Sequence, residues 1–212
     1  MLKINEIFFS IQGEGSKAGL PCVFIRLTYC NLRCSYCDTE YAFFEGKERE
    51  IENILKEISN FDCKLVEVTG GEPLMQEESL LLMKKLCDEG YEVMLETGGS
   101  LPIDNVDSRV KIIMDLKCPS SGMVKKNLLN NIQHLKSTDE LKFVIGDRED
   151  YEWSKGIISD NNLLNTYEIL FSTVFGKLNP AELAEWILAD SLKVRFQLQL
   201  HKYIWEPDRR GV

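Results

Sequence analysis

Histidine is nearly absent from this 212-residue sequence, which has only His134 and His201. Long apolar runs are absent altogether: none approaches the roughly 18 residues that suggest a membrane-spanning helix. The polar, acidic stretch from Lys3 to Glu14 also lacks a signal-peptide layout. These absences predict a cytoplasmic protein with no membrane partner. Basic charge is in deficit, with 25 Lys and Arg against 34 Asp and Glu for a formal charge of −9. Phosphate binding wants a basic face, so a general nucleic-acid surface is disfavoured. The seven cysteines are an odd number, and three of them crowd between Cys30 and Cys37. That argues against a secreted disulfide framework and suits a reducing compartment. What is left, 44% hydrophobic and 9% aromatic, fits one globular domain over residues 1–212 with a substantial core.

The chain is organised around Thr28-Tyr-Cys-Asn-Leu-Arg-Cys-Ser-Tyr-Cys-Asp-Thr39. Three thiolates separated by three and then two residues, on a loop after an apolar run, can hold three irons of a cubane cluster and leave the fourth iron open. An open iron can bind the amine and carboxylate of a small molecule and pass it one electron. A structural zinc site is the competing reading, and it wants four protein ligands. No fourth cysteine or histidine lies near in sequence, although a distant one would complete such a site. Cys22, Cys63, Cys87 and Cys118 are scattered and read as small core residues.

Around this loop the periodicity alternates between strand and helix. Ile4 to Ile11 has strand character and ends in Gln12-Gly-Glu-Gly15, either a plain turn or a loop whose backbone and Glu14 approach a ligand. Pro21 to Tyr29 is a core strand with Val23, Ile25 and Leu27 on one face. Arg26 interrupts its other face, as a snorkelling rim residue or as a charge facing a buried anion. Asp38 and Thr39 read as a cap or turn pair. A helix is predicted over Arg49 to Asn60, then a strand from Leu65 to Val68 running into Thr69-Gly-Gly-Glu-Pro73. There Gly70 and Gly71 permit close backbone approach, and Glu72 offers an acceptor for an ammonium group. A helix over Glu78 to Glu89 comes next, then strands over Tyr91 to Leu95 and Val110 to Leu116, with Asp115 and Lys117 at the end of the latter. Leu128, Leu129, Ile132 and Leu135 predict a further helix. Strands Leu141 to Ile145 and Tyr167 to Phe171, and helices begun by Asp147 and by Asn179-Pro180, continue the pattern. Glu182 is placed for a capping box, and Ser172 falls at a sheet end. A last strand is predicted from Val194 to His201, its polar face either a solvated edge or the lining of a wet cavity. Strand, loop and helix in repetition give an α/β fold with a parallel sheet and its loops gathered at one end.

The spacing Cys-x3-Cys-x2-Cys with Tyr36 before the last cysteine, together with Gly70-Gly-Glu-Pro73, resembles the radical S-adenosylmethionine superfamily. Ser10-Ile-Gln-Gly-Glu-Gly15 upstream and Cys37-Asp-Thr39 narrow the resemblance to the 7-carboxy-7-deazaguanine synthase family, from the amino terminus to Gln199-Leu-His-Lys202. The resemblance implies an incomplete TIM-like parallel barrel of about six strands with few helices. It implies that Cys30, Cys34 and Cys37 hold a [4Fe-4S] cluster, and that Tyr36, Cys37, Asp38, Gly70, Gly71, Glu72, Asp115, Lys117 and Ser172 meet S-adenosylmethionine. Ile11, Gln12, Gly13, Glu14, Arg26, Thr69 and His201 would hold a pterin, with Mg2+ at Thr39. A neutral hydroxyl is a weak ligand for so hard a cation, so Mg2+ is expected to bind well only with substrate present. A flavodoxin or ferredoxin as electron donor and a homodimer are implied as well. Two rivals stay open: an activase of the same superfamily that takes hydrogen from a glycine of a partner protein, and a non-catalytic zinc-binding module.

Overall fold

The computed structural model describes residues 1–212. The chain opens with β1 (Leu2–Ile11), returns along β2 (Pro21–Leu27), and adds a short β3 (Lys47–Arg49) before helix α1 (Ile51–Ile58). It continues through β4 (Leu65–Gly70), α2 (Glu78–Asp88), β5 (Glu92–Thr97), β6 (Lys111–Asp115) and β7 (Glu140–Ile145). Helix α3 (Arg148–Asp160), β8 (Glu168–Thr173), α4 (Pro180–Ala189), β9 (Arg195–Phe196) and a short α5 (His201–Ile204) complete it. One sheet holds all nine strands in the order β3-β1-β2-β4-β5-β6-β7-β8-β9. Every pairing from β2 to β9 is parallel, while β1 and β3 lie antiparallel beyond β2. The two edge strands do not pair, so the barrel is incomplete. The expected six strands are β2, β4, β5, β6, β7 and β8, and the two residues of β9 extend the parallel set.

Strand alternation separates two faces. Val23, Ile25, Val66, Val68, Val93, Leu95, Phe143 and Phe171 turn outward and pack with the helices in the main core. Helix α1 forms because Ile51, Ile54, Leu55 and Ile58 recur at helical spacing and are all buried. Each such side chain contributes about 2 kcal/mol by leaving water. Asp147 caps α3 by accepting from Asp150 N–H, and Asn179 caps α4 by accepting from Ala181 N–H. The Asn179 cap uses its own side chain, without the Glu182 pairing that the spacing suggested. The inward face is different. A small apolar cluster that includes Cys22, Phe24, Leu65 and Met94 lies there, and so do Arg26, Glu67, Thr69, Glu96 and Lys142, all of which line one cavity.

Two expected elements take another form. Leu129 to His134 is a 3-10 segment and not an α-helix, because the chain here is tied to the loop after β5. Leu128 N–H donates to Gly99 O, and the Asn131 amide donates to Gly99 O and Leu101 O. The last strand stops after Phe196. Gln197 N–H still donates to Phe171 O, but the Gln197 and Gln199 side chains are drawn toward Glu14 and Gly15, and His201 begins α5. No helix is long and apolar enough to cross a membrane.

Candidate active site

The antiparallel first strand decides how the cavity is closed. Because β1 runs against β2, Ile11 ends beside Pro21, at the beginning of the parallel strands. The loop after Ile11 therefore forms the floor of the barrel, whereas the cysteine loop beyond the end of β2 forms its roof. Floor contacts fix this placement. Ser16 N–H donates to Glu140, the first residue of β7, at 3.2 Å, and Lys111 Nζ donates to Ser16 Oγ at 2.8 Å. Gly15 N–H donates to Gln197 Oε1 at 2.6 Å. Gly15 has φ +72°, and a Cβ there would lie 2.7 Å from Glu140 Oε2, so glycine is needed for both conformation and space.

Between floor and roof is a cavity of about 520 Å³. It is lined by Cys30, Cys34, Cys37, Tyr36, Asp38, Thr39, Gly70, Gly71, Asp115 and Lys117 on the roof side, and by Ile11, Gln12, Gly13, Glu14, Arg26, Thr69 and His201 below or beside them. Two of the residues singled out in the sequence are not in its wall. Ser172 is buried beneath it. Glu72 has no exposure; its carboxylate accepts from Leu74 N–H, Gly98 N–H and the Thr97 hydroxyl, bracketing the Gly-Gly loop to the end of β5. Burial raises the Glu72 pKa, against the pull of those donors.

The roof begins with backbone strain. Tyr29 has φ 80°, an uncommon left-handed conformation that costs about 1–3 kcal/mol and persists only when its surroundings fix it. Tyr29 N–H donates to Ala42 O at 2.9 Å, and Tyr29 O accepts from Glu72 N–H at 2.7 Å. The chain is thereby turned out of β2 and into the cysteine loop. Cys30, Cys34 and Cys37 are free thiols, half-buried, on one wall. Burial pushes the Cys30 and Cys34 thiols up, so taking up metal must release their protons. No three His, Cys, Asp or Glu side chains converge on a single ion. A cubane asks for no such convergence, since it spreads three thiolates over three irons.

A second observation concerns the organic cofactor. Buried polar atoms without a partner are uncommon, yet Tyr36 OH, Asp115 Oδ1 and Ser172 Oγ have none. All three belong to residues that the resemblance placed against S-adenosylmethionine. The other Asp115 oxygen pairs with Lys117 Nζ at 2.8 Å, and Lys117 is held above its ordinary value because Asp115 and Cys34 outweigh burial. Of these residues Tyr36 and Asp115 line the cavity, and their unpartnered atoms with the donor set fit a cluster with a bound polar cofactor; Ser172 Oγ, like Ser10 Oγ and Ser79 Oγ, is unpartnered outside the wall.

On the other side, Arg26 is aimed by a β-bulge. The register slips between Ile4↔Leu27 and Glu6↔Arg26, leaving Asn5 without a cross-strand mate. One extra residue reverses the facing of the rest of the strand. Leu2 and Ile4 accordingly face the outer core, whereas Phe8 stacks on Phe24 inside. Glu6 now meets Arg26, its Oε1 accepting from Arg26 Nε at 2.8 Å and from Tyr41 OH at 3.0 Å. Tyr41 is pushed up to about 12, mainly by burial. The terminal nitrogens of Arg26 make no protein hydrogen bond. Asp38 pairs with Lys202 Nζ at 2.5 Å, and Lys202 outweighs burial to lower its pKa. Thr39 makes no side-chain cap bond to the turn that begins after it.

Sequence reasoning missed Glu67, Glu96 and Lys142, and met Gln197 and Gln199 only as part of a polar strand face that could line a wet cavity. The signal was present in the strands: Glu67 stands between Val66 and Val68, and Lys142 between Leu141 and Phe143, the same interruption that drew notice to Arg26. Gln12 donates to Glu67 from the floor, and burial together with Glu96 holds Glu67 well above the usual carboxylate range. His201 packs against the floor, where a Cβ on Gly13 would lie 2.6 Å from its Nδ1. Burial lowers the His201 pKa. The segment Pro207 to Val212 also lines the cavity, with Arg210 stacked 3.7 Å over the Tyr41 ring.

Comparison with known proteins places the chain in a family. The Radical SAM superfamily matches residues 24–157. The 7-carboxy-7-deazaguanine synthase of Chlorobaculum tepidum is 50% identical over 214 residues, covering 100% of this chain and 97% of the relative. The protein of the same name from Koribacter versatilis is 42% identical over 226 residues, covering 100% of both. QueE from Escherichia coli superposes with a TM-score of 0.76 at 22% identity, over 93% of each chain, a likeness of fold. The chain belongs to the radical S-adenosylmethionine superfamily, whose members work with a [4Fe-4S] cluster and S-adenosylmethionine, and within it to the 7-carboxy-7-deazaguanine synthase family.

Proposed function

We propose that this chain contracts 6-carboxy-5,6,7,8-tetrahydropterin to 7-carboxy-7-deazaguanine with loss of ammonia, a step of queuosine and 7-deazapurine synthesis. The observation that carries the reading is the shape of the cavity, with three thiols in its roof and a hydrogen-bonding floor of Gln12, Gly13 and Glu14. Substrate and product differ by ammonia alone, so no net oxidant is consumed. When bound, the cluster at Cys30, Cys34 and Cys37 and S-adenosylmethionine supply the hydrogen-abstracting 5'-deoxyadenosyl radical. The protein's own residues orient the substrate and exclude water. Arg26, its Nε fixed by Glu6, presents its terminal nitrogens to the carboxylate in a bidentate pair. Ile11, Gln12, Glu14, Thr69 and His201 read the ring system. Tyr36, Asp38, Gly70, Gly71, Asp115 and Lys117 are proposed to surround the cofactor, and Glu72 and Ser172 to support the site from outside the wall. Thr39 contributes to a Mg2+ site that is completed by substrate oxygens. A flavodoxin or ferredoxin as donor and a homodimer belong to the same reading and rest on the family.

The test is an anaerobic assay of reconstituted protein with reductant, S-adenosylmethionine, Mg2+ and the tetrahydropterin, read by mass spectrometry. The expected products are 5'-deoxyadenosine and 7-carboxy-7-deazaguanine; deoxyadenosine without the deazapurine would overturn the assigned substrate. Arg26→Ala is expected to leave iron content intact and raise the KM for the pterin roughly 10–100-fold, the worth of a charge-assisted pair. An unchanged KM would remove Arg26 from the substrate site. For Thr39→Ala the half-saturating Mg2+ concentration is expected to rise, and a superimposable titration would leave Thr39 without a metal role.

A further inference from the structure

Lys142 is a buried cation in the middle of β7, and it faces the cavity between the outward Leu141 and Phe143. It is 4% exposed. Its ammonium donates to Glu14 Oε2 at 3.0 Å and to Glu96 Oε1, and Asp115 Oδ2 lies 3.9 Å away on the facing strand β6. A lysine so placed is tolerated because carboxylates surround it. The dependence also runs the other way. Glu14 Oε2 accepts from Lys142 and from Gln197 Nε2 at 3.3 Å, and Glu14 Oε1 accepts from Gln199 Nε2 at 3.1 Å. A carboxylate has about four lone-pair sites, so the protein fills three and leaves one for a ligand.

We propose that Lys142 is a positioning residue that keeps Glu14 ionised and turned, so that its remaining lone pair accepts from an N–H edge of the bound pterin. This rests on the pterin reading above. Without Lys142 the carboxyl groups of Glu14, Glu67, Glu96 and Asp115 would share a water-poor space with Lys117 and His201 as the nearby bases, and Lys117 is already paired to Asp115. Like charges in such a space take up protons. A protonated Glu14 would offer a donor where the ligand also has one, a mismatch that binding must bear. Burial on its own would depress the Lys142 ammonium, but Glu14, Glu96 and Asp115 outweigh it and hold it well above its ordinary value. Lys142 likewise lowers the Glu14 pKa against the effect of burial.

The experiment titrates 6-carboxypterin, tracked by its fluorescence, into cluster-loaded protein with S-adenosylmethionine present. Native protein, Lys142→Met, Glu14→Gln and the double variant are compared at matched iron content and confirmed folding. Each single change is expected to weaken binding by roughly 30-fold, and the double variant to bind no more weakly than the weaker single. As the pH is raised, binding to Lys142→Met should strengthen as Glu14 loses its proton, and the double variant should not do so. Native affinity in Lys142→Met, or losses that multiply in the double variant, would overturn the proposal. Should Lys142→Met not fold, the comparison moves to Glu14→Gln/Glu96→Gln with and without Lys142→Met. Equal affinities there support the proposal, and a further loss refutes it. If native protein does not hold 6-carboxypterin, the titration is repeated anaerobically with the tetrahydropterin, and failure to hold that as well would overturn the substrate reading itself, and this inference with it.

Discussion

Changing any one of Cys30, Cys34 or Cys37 to alanine is expected to abolish both 5'-deoxyadenosine and deazapurine formation. In the proposed cluster each thiolate would serve a separate iron, so the three could not substitute for one another. None of the four other cysteines can step in: Cys22 and Cys118 are buried in the packed interior, and Cys63 and Cys87 do not line the cavity. Iron and sulfide analysis of each variant, with the cofactor-cleavage assay, checks the expectation. A variant that still cleaves S-adenosylmethionine would remove that cysteine from the ligand set. Cys87→Ala, at a partly buried position of α2 that packs on the outer core away from the cavity, is the matched control and should retain native iron and activity.

Gly71→Ala carries the next largest expected effect, and it acts through the backbone. A Cβ at Gly71 would fall on the Tyr29 carbonyl and within 2.9 Å of the Cys30 Cβ. Neither neighbour can yield, because Tyr29 O is held by Glu72 N–H at 2.7 Å and Tyr29 is already strained. The preceding glycine is confined as well: Gly70 has φ +148°, and its Cβ would lie 2.6 Å from Leu27 N in the adjoining strand. A clash between fixed backbones belongs with the most destabilising single changes, about 4 kcal/mol, or roughly 8–16 °C in Tm for a chain of this size. Gly90→Ala supplies the contrast, since Gly90 has φ +79° with open space around it, so only the conformational cost of about 1 kcal/mol applies. Thermal unfolding of the pair separates the two. A Gly71→Ala melt within about 3 °C of native would show that the roof can move and that Tyr29 is not held rigidly.

Much of the fold was legible because its grammar is local. Alternation in Pro21 to Tyr29, Leu65 to Val68 and Leu141 to Ile145 predicted the parallel strands, and the spacing of Ile51, Ile54, Leu55 and Ile58 predicted α1. That three cysteines share one wall of the cavity was legible because they are neighbours in sequence. The floor was not, because its meaning depends on partners far along the chain. Nothing local shows that Gln12 meets Glu67 or that Glu14 meets Lys142. The bulge at Asn5 was hidden for a related reason: a one-residue slip appears only when β1 is laid against β2. The segment Leu129 to His134 misled because its apolar spacing suits a helix, while Asn131 is engaged by Gly99 and Leu101, which periodicity does not register. The final strand misled because Gln197 and Gln199 alternate as in a strand, although their amides are turned toward Glu14 and Gly15.

The floor loop also bears on how the molecule comes into being. Its anchors lie 128, 183 and 185 residues downstream, in the contacts of Glu14 with Lys142, Gln197 and Gln199. Contacts at such separations form late, after the loops between them have closed. During synthesis the cysteine loop leaves the ribosome well before Gln197 and Gln199, and although the floor can already meet Glu67, Glu140 and Lys142, Glu14 lacks its two glutamine partners until they emerge. The cysteine-lined half of the cavity can therefore take shape before the half that the glutamine pair steadies. A chain truncated before Gln197 would keep its three thiols and lose the glutamine pair that steadies Glu14.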